Sequence, residues 1–343
     1  MVWGIFLSKN DLKLSLLYTG TLIGAGFASG SEIAVYFLKS GDSFITPLIL
    51  SCGILILFGA LAVKTAFKTR IFEYTEFMDE IMGIKASNII CFFTGVFFFV
   101  LFTAMISAFG SLCQSMGFMD NKLARIVFIL LCIPVLINGP KGIIKANSIL
   151  VPLLVTGIVI SSAAVLKNSG LQLLNLELNS SAKGFIKGAE FAFYNMVSCI
   201  PVLIECAGKL KEGTKPFAGC ILTGVIVFLI GALMSCALVL SQNVLNEPLP
   251  MLLVTKNVSS LVYYIYIISF ILSVYTTAAS NGFCAMEWVL NKKFSVTKLV
   301  LFLAASYLVS SVSFMVFVEK FYVVFSLIGL AEFVAIVIRV LKF

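Results

Sequence analysis

The sequence contains no histidine. That removes the commonest metal ligand and the usual proton carrier near neutral pH. It also lacks a nucleophile elbow, a phosphate-binding glycine loop and an HExxH pattern, so no enzymatic activity is expected. Charge is scarce: 12% of residues are charged, against roughly 25% in a soluble domain, while 60% are hydrophobic. The net charge of +8 is spread over short segments between apolar runs, which reads as topology determination rather than a nucleic-acid surface. Cysteine is present nine times (Cys52, Cys91, Cys113, Cys132, Cys199, Cys206, Cys220, Cys236, Cys284), always in apolar runs and never as CxxC. These read as buried free thiols acting as small hydrophobes.

What the chain does have is apolar length. At ~20 residues per crossing, ten spans fit, near 12–38, 43–65, 87–117, 122–139, 142–166, 183–208, 214–242, 258–290, 297–315 and 318–341. The expectation is an all-α polytopic protein, with residues 1–343 forming one transmembrane domain in a lipid bilayer. Spans 87–117 and 258–290 are long enough to tilt or to project past the bilayer. With the N-terminus inside, 16 of the 24 lysines and arginines fall in cytoplasmic segments and 8 do not. That bias places both termini in the cytoplasm and residues 167–182 outside. The 67–86 connection carries Glu73, Glu76, Asp79 and Glu80 among apolar residues, which predicts a short interfacial helix. The 171–178 stretch predicts another on the outer side.

The first span is interrupted by its own composition. Gly20, Gly24, Gly26 and Gly30 fall within eleven residues of GTLIGAGFASGSE (20–32). Each glycine weakens a helix by roughly 1 kcal/mol relative to alanine. Backbone freed from helix at membrane depth is tolerated only where it is buried in protein or lines a wet cavity. A broken helix at the midplane is where secondary transporters bind their solute. Gly20/Gly24 and Gly26/Gly30 also fit close helix packing, the competing reading. The density of glycines, with Ser29, Ser31 and Glu32 following, favours the break.

Spans 1–5 (12–166) and 6–10 (183–341) are of similar length, and an odd number per half forces opposite topology. The second half opens with AEFAFYNMVSCIP (189–201), where Pro201 interrupts an apolar run containing Tyr194, Asn195 and Ser198. Its bland alternative is a proline kink with side chains bonded to their own helix. In span 8, Ser273, Thr276 and Thr277 stand at i, i+3 and i+4, so their hydroxyls share a face that suits a small hard cation such as Na⁺. Hydroxyls bonded back to their own helix are again the alternative. Glu32, Glu205 and Glu332 are the acids at membrane depth. They are gating or proton-carrying candidates, unless they reach interface water.

The GTLIGAGFASGSE motif resembles the first span of YkvI-type bacterial membrane proteins, within the amino acid–polyamine–organocation superfamily. FYNMVSCIP in span 6 and YTTAASN in span 8 support the likeness by position. The resemblance implies a LeuT-like 5+5 inverted repeat with helices 1 and 6 broken at the substrate site. It places the carbonyls of Gly20 and Ile23 opposite the hydroxyls of Thr276 and Thr277, with Ser273 as a backbone ligand of Na⁺. Thr21, Gly24 and Gly26 would line the substrate opposite Tyr194, Asn195 and Ser198. Characterised sodium-coupled relatives often keep an asparagine or a charged anchor here; this chain has Thr21 and Phe27.

The function implied is Na⁺-coupled secondary transport of a small, amino-acid-like zwitterion by alternating access, in the bacterial cytoplasmic (inner) membrane. No cofactor is expected beyond Na⁺. The half-helix starting near Phe27 would favour the solute's carboxylate, and the carbonyls before it a cation or an ammonium group. Proton coupling, or a nutrient sensor of the same fold, as the related spore-germination receptor subunits are, are the alternatives.

Overall fold

The computed structural model describes residues 8–39, 43–168, 180–210, 213–290 and 295–342, so the 171–178 stretch lies outside it. All regular structure among these residues is helical. In chain order the helices are α1 (Lys9–Leu22), α2 (Ala25–Ser29), α3 (Ser31–Ile33), α4 (Ile45–Thr69), α5 (Tyr74–Met82), α6 (Ile84–Ser115) and α7 (Asn121–Asn168). There follow α8 (Ala182–Ala207), α9 (Pro216–Val239), α10 (Pro250–Lys256), α11 (Ser260–Leu290), α12 (Val296–Val309), α13 (Phe314–Val316) and α14 (Tyr322–Leu341).

Eight described segments are long and apolar enough to cross a membrane. Two of them, Asn121–Asn138 and Lys145–Asn168, lie within the continuous α7. The first expected span is not among the eight because it is broken, and the ninth, α12, has only 14 residues. The connection expected to be an interfacial helix is α5, which buries Tyr74, Phe77 and Met78 and exposes Glu76.

α1 starts at a capping box: Ser8 Oγ accepts the Asp11 amide at 3.1 Å, and the Asp11 carboxylate accepts the Ser8 amide at 2.8 Å. The other Asp11 oxygen accepts the Lys215 amide at 2.5 Å, tying the start of α1 to the start of α9. α8 is seated between α4 and α14. Its approach to α4 is close because a β-carbon at Gly188 would meet the Pro47 carbonyl oxygen at 2.6 Å. Ser51 Oγ also donates to the Gly188 carbonyl at 2.7 Å. α11 lies against α7 and α6, and α1 reaches α7, α8, α9 and α11. Ile49, Ile89, Leu130, Leu153, Ile268 and Leu301 point outward, the surface that lipid chains would cover.

Two expectations need correction. The sixth span is not broken: α8 runs unbroken for 26 residues with Pro201 inside it. Proline removes a single backbone donor there, and a helix packed along its length on α4 and α14 can continue through that one loss. The second half of the first span, in turn, is not one half-helix. It consists of α2, α3 and a π-turn at Ala34–Leu38, with Gly30 left-handed at φ 84° between the first two. Five-residue α2 carries little of the macrodipole expected near Phe27.

Candidate site at the break in the first span

The break lies at Ile23 and Gly24. Ile23 leaves the helical region at φ −83°, ψ 74°, and Gly24 is extended at φ −86°, ψ −175°. The Gly24 amide turns to the Leu22 carbonyl at 2.9 Å and so is not given to Gly20, whose carbonyl loses its helical partner. The chain then re-enters helix, with the Ala28 amide on the Gly24 carbonyl at 2.9 Å. Each glycine of the motif meets a different neighbour. A β-carbon at Gly20 would lie 3.1 Å from the Asn147 amide group, at Gly24 3.2 Å from Thr277 Oγ1, and at Gly30 2.9 Å from Met251. At Gly26 it would overlap the Glu32 carboxyl. Packing and breaking therefore share the motif, with Gly20 and Gly30 on packing duty and Gly24 at the break.

Opposite the break stands α11. Ser273 Oγ donates to the Ile23 carbonyl at 2.7 Å, so the serine meets the first span through its side chain rather than its backbone. Thr277 Oγ1 is buried beside Gly24 with no hydrogen-bond partner. Thr276 Oγ1 instead turns to the Ser273 carbonyl of its own helix at 3.0 Å. The oxygens that meet at the break are thus those of Ile23 and Ser273, with Thr277 Oγ1 beside Gly24 and the freed Gly20 carbonyl one helical turn earlier in the chain. An all-oxygen set suits a hard cation.

The expected substrate residues are all buried, yet they differ in what they have free. Thr21 Oγ1 donates to the Leu17 carbonyl at 3.0 Å, Asn195 Nδ2 to Phe191 at 2.9 Å and Ser198 Oγ to Asn195 at 2.8 Å. The Thr21 and Ser198 hydroxyls and the Asn195 amide nitrogen thus donate within their own helices. Tyr194 is different, because its hydroxyl has no partner and its ring stacks between Tyr36 and Tyr322 at 5.5 and 4.8 Å. The Tyr18 hydroxyl donates to the Leu55 carbonyl at 2.8 Å and lies 2.8 Å from Met196 Sδ, so it joins α1 to α4 and α8.

The three acids separate. Glu32 folds back onto Gly26, at the break. Glu332, fully buried in α14, accepts from the Tyr74 hydroxyl at 2.5 Å and from Thr94 at 3.3 Å, binding the last span to α5 and α6. Glu205 accepts the Tyr74 amide at 3.3 Å and lines a cavity of about 450 Å³ with Glu73, Thr94, Glu287 and Trp288.

Three further buried polar residues were not named as site candidates from the sequence, although Asn281 closes the YTTAASN motif. Asn147 on α7 and Asn281 on α11 are buried with both amide atoms unpartnered, as is the hydroxyl of Thr19 on α1. Asn281 is one turn beyond Thr277 on the same helix face, a signal available from spacing alone. Nothing local marks Asn147, which only the packing of α7 on Gly20 brings in.

No protein-family model matches the chain. It is 24% identical over 330 residues to the uncharacterized membrane protein YkvI of Bacillus subtilis (strain 168), covering 93% of each. Among solved structures it superposes on MhsT in complex with L-phenylalanine with a TM-score of 0.71 at 14% identity, covering 96% of this chain and 88% of that one. It also superposes on the substrate-bound, outward-open state of a Na⁺-coupled sialic acid symporter, with a TM-score of 0.59 at 14% identity, covering 94% and 76%. The chain is therefore an all-helical, polytopic membrane protein of LeuT-like fold that resembles YkvI-type membrane proteins along nearly its whole length.

Proposed function

We propose that this protein is a secondary active transporter of a small amino-acid-like solute, coupled to Na⁺ and working by alternating access. The observation that carries this is the meeting of the broken first span with α11. There a buried Thr277 hydroxyl without a partner faces Gly24, and the adjoining Ile23 carbonyl is already met by Ser273. A buried polar group left unpaired is costly, by about 1–3 kcal/mol. A cation held by Gly20, Ile23, Ser273 and Thr277 would recover that cost in one packing of the bundle and not in another. Such a difference in affinity is what ties a gradient to a conformational change. The fold shared with a Na⁺-coupled symporter supports the reading.

In this proposal, segments 12–166 and 183–341 are the inverted repeats, and both termini face the cytoplasm of a bacterial cell. The solute sits between the break and the Tyr194 side of α8. The test is uptake of a radiolabelled amino-acid panel by proteoliposomes holding the purified protein. Accumulation driven by an inward Na⁺ gradient is expected. Uptake driven by a pH gradient and indifferent to Na⁺ would move the coupling to a proton, with Glu32 and Glu332 the residues to neutralise. Saturable binding without uptake would favour a sensor.

A further inference from the structure

Glu32 is 4% exposed, yet the oxygen Oε2 of its carboxyl has no hydrogen-bond partner. Among the described residues no lysine or arginine forms an ion pair with it; Lys187, whose ammonium lies 5.9 Å from the Tyr36 ring centroid, is held by Glu190 at 2.6 Å. Tyr36 of the π-turn stands four residues after Glu32, and Tyr194 of α8 and Tyr322 of α14 continue from Tyr36 as a stack of rings. Each is at most 2% exposed, and each has an unpartnered hydroxyl. Of the three hydroxyls, that of Tyr194 faces the Glu32 carboxyl. The rings form a continuous stack with Tyr194 in the middle, and Phe191 meets Tyr36 edge-on at 5.8 Å.

A buried carboxyl without an ion-pair partner, tyrosine hydroxyls and a wall of π-faces are complementary to one kind of group. A carboxylate repels an anion, and a buried charge is stable only when paired. A primary ammonium brings a positive charge and three donors, enough for the carboxyl and two hydroxyls. Aromatic faces add cation–π attraction and favour an organic cation over a bare hard ion. The place matters as well, because the carboxyl rests on Gly26, two residues past the break. Thr21 and Phe27 offer no such charged anchor.

We infer that Glu32, with Tyr36, Tyr194 and Tyr322, is the recognition site for an ammonium group, so that the solute is a primary amine or an amino acid held by its amine end. This rests on the transporter reading for its purpose but not for its chemistry.

The test uses the full-length protein in lipid nanodiscs and isothermal titration with matched probes. These are leucine and phenylalanine, their amines 3-methylbutylamine and 2-phenylethylamine, and their amine-free acids 4-methylpentanoate and 3-phenylpropionate. Ammonium-bearing probes should bind and the acids should not. Glu32→Gln, which keeps the volume, should weaken the amines by roughly ten- to hundredfold. Tyr322→Phe removes one hydroxyl and keeps the ring; it should weaken them by about threefold or more, and it serves if the glutamine variant does not fold. An acid that binds as well as its amine, amine binding unchanged in both variants, or no binding by any ammonium probe overturns the site. Amine binding without gradient-driven uptake leaves the site standing and overturns the transporter reading. Uptake indifferent to the amine does the reverse.

Discussion

The first and sixth spans carry similar side chains at similar places and end differently. Both hold hydroxyls and a helix-weakening residue in an apolar run. In the sixth, Asn195 and Ser198 bond to carbonyls of their own helix, and Pro201 is absorbed without a break. In the first, two residues leave the helix, a carbonyl is freed and a hydroxyl across the gap is left without a partner. The difference is one of number and of neighbours. A single proline costs one hydrogen bond, and a well-packed helix survives it. Four glycines in eleven residues lower the helix preference at each step, and Ser273 supplies a competing donor for the Ile23 carbonyl. Polarity in a membrane span therefore marks a site only where the helix fails to satisfy it.

The strongest way to break this comparison is Gly26→Leu. Its side chain must displace the Glu32 carboxyl, so ligand binding should be abolished while the protein still inserts, because leucine raises the hydrophobicity of the span. Ligand titration beside a membrane-fraction blot would show it, and normal binding would make Gly26 a packing residue. Next in size is Thr277→Val, which keeps the volume and deletes the unpartnered hydroxyl. Apparent Na⁺ affinity should fall more than roughly tenfold, about 1.4 kcal/mol. Pro201→Ala restores a backbone donor to a helix already continuous, so ligand affinity should stay within about threefold of the parent. A loss as complete as that of Gly26→Leu would mean that the sixth span works as a broken helix after all. The smallest effect belongs to Thr276→Val. Its hydroxyl already donates to Ser273 within α11, and Na⁺ affinity should change by no more than about twofold.

The fold class was legible because lipid allows few structures: long apolar runs with little charge leave only helices. The break was legible too, since the glycines that cause it are adjacent in sequence and act locally. The continuity of α8 was not, because nothing local shows that the tertiary packing of α8 on α4 and α14 outweighs one lost donor at Pro201. Nor could spacing separate Thr276 from Thr277. Both lie on one face of a helix, and only Gly24 on another chain segment decides which hydroxyl is left free. Tyr36 and Tyr322 stand 286 positions apart in numbering, on segments that look merely apolar, and Tyr194 joins them only through ring stacking.

The measurement that bears most directly on the account is equilibrium binding of radiolabelled Na⁺ to the purified parent and to Thr276→Val and Thr277→Val. The account predicts saturable binding to the parent, nearly the same binding to Thr276→Val, and binding weakened more than roughly tenfold in Thr277→Val. By linkage, the solute should then tighten Na⁺ binding in the parent and much less in Thr277→Val. A parent that binds no Na⁺ saturably, or a Thr277→Val protein that binds it as the parent does, would contradict a cation site at the break.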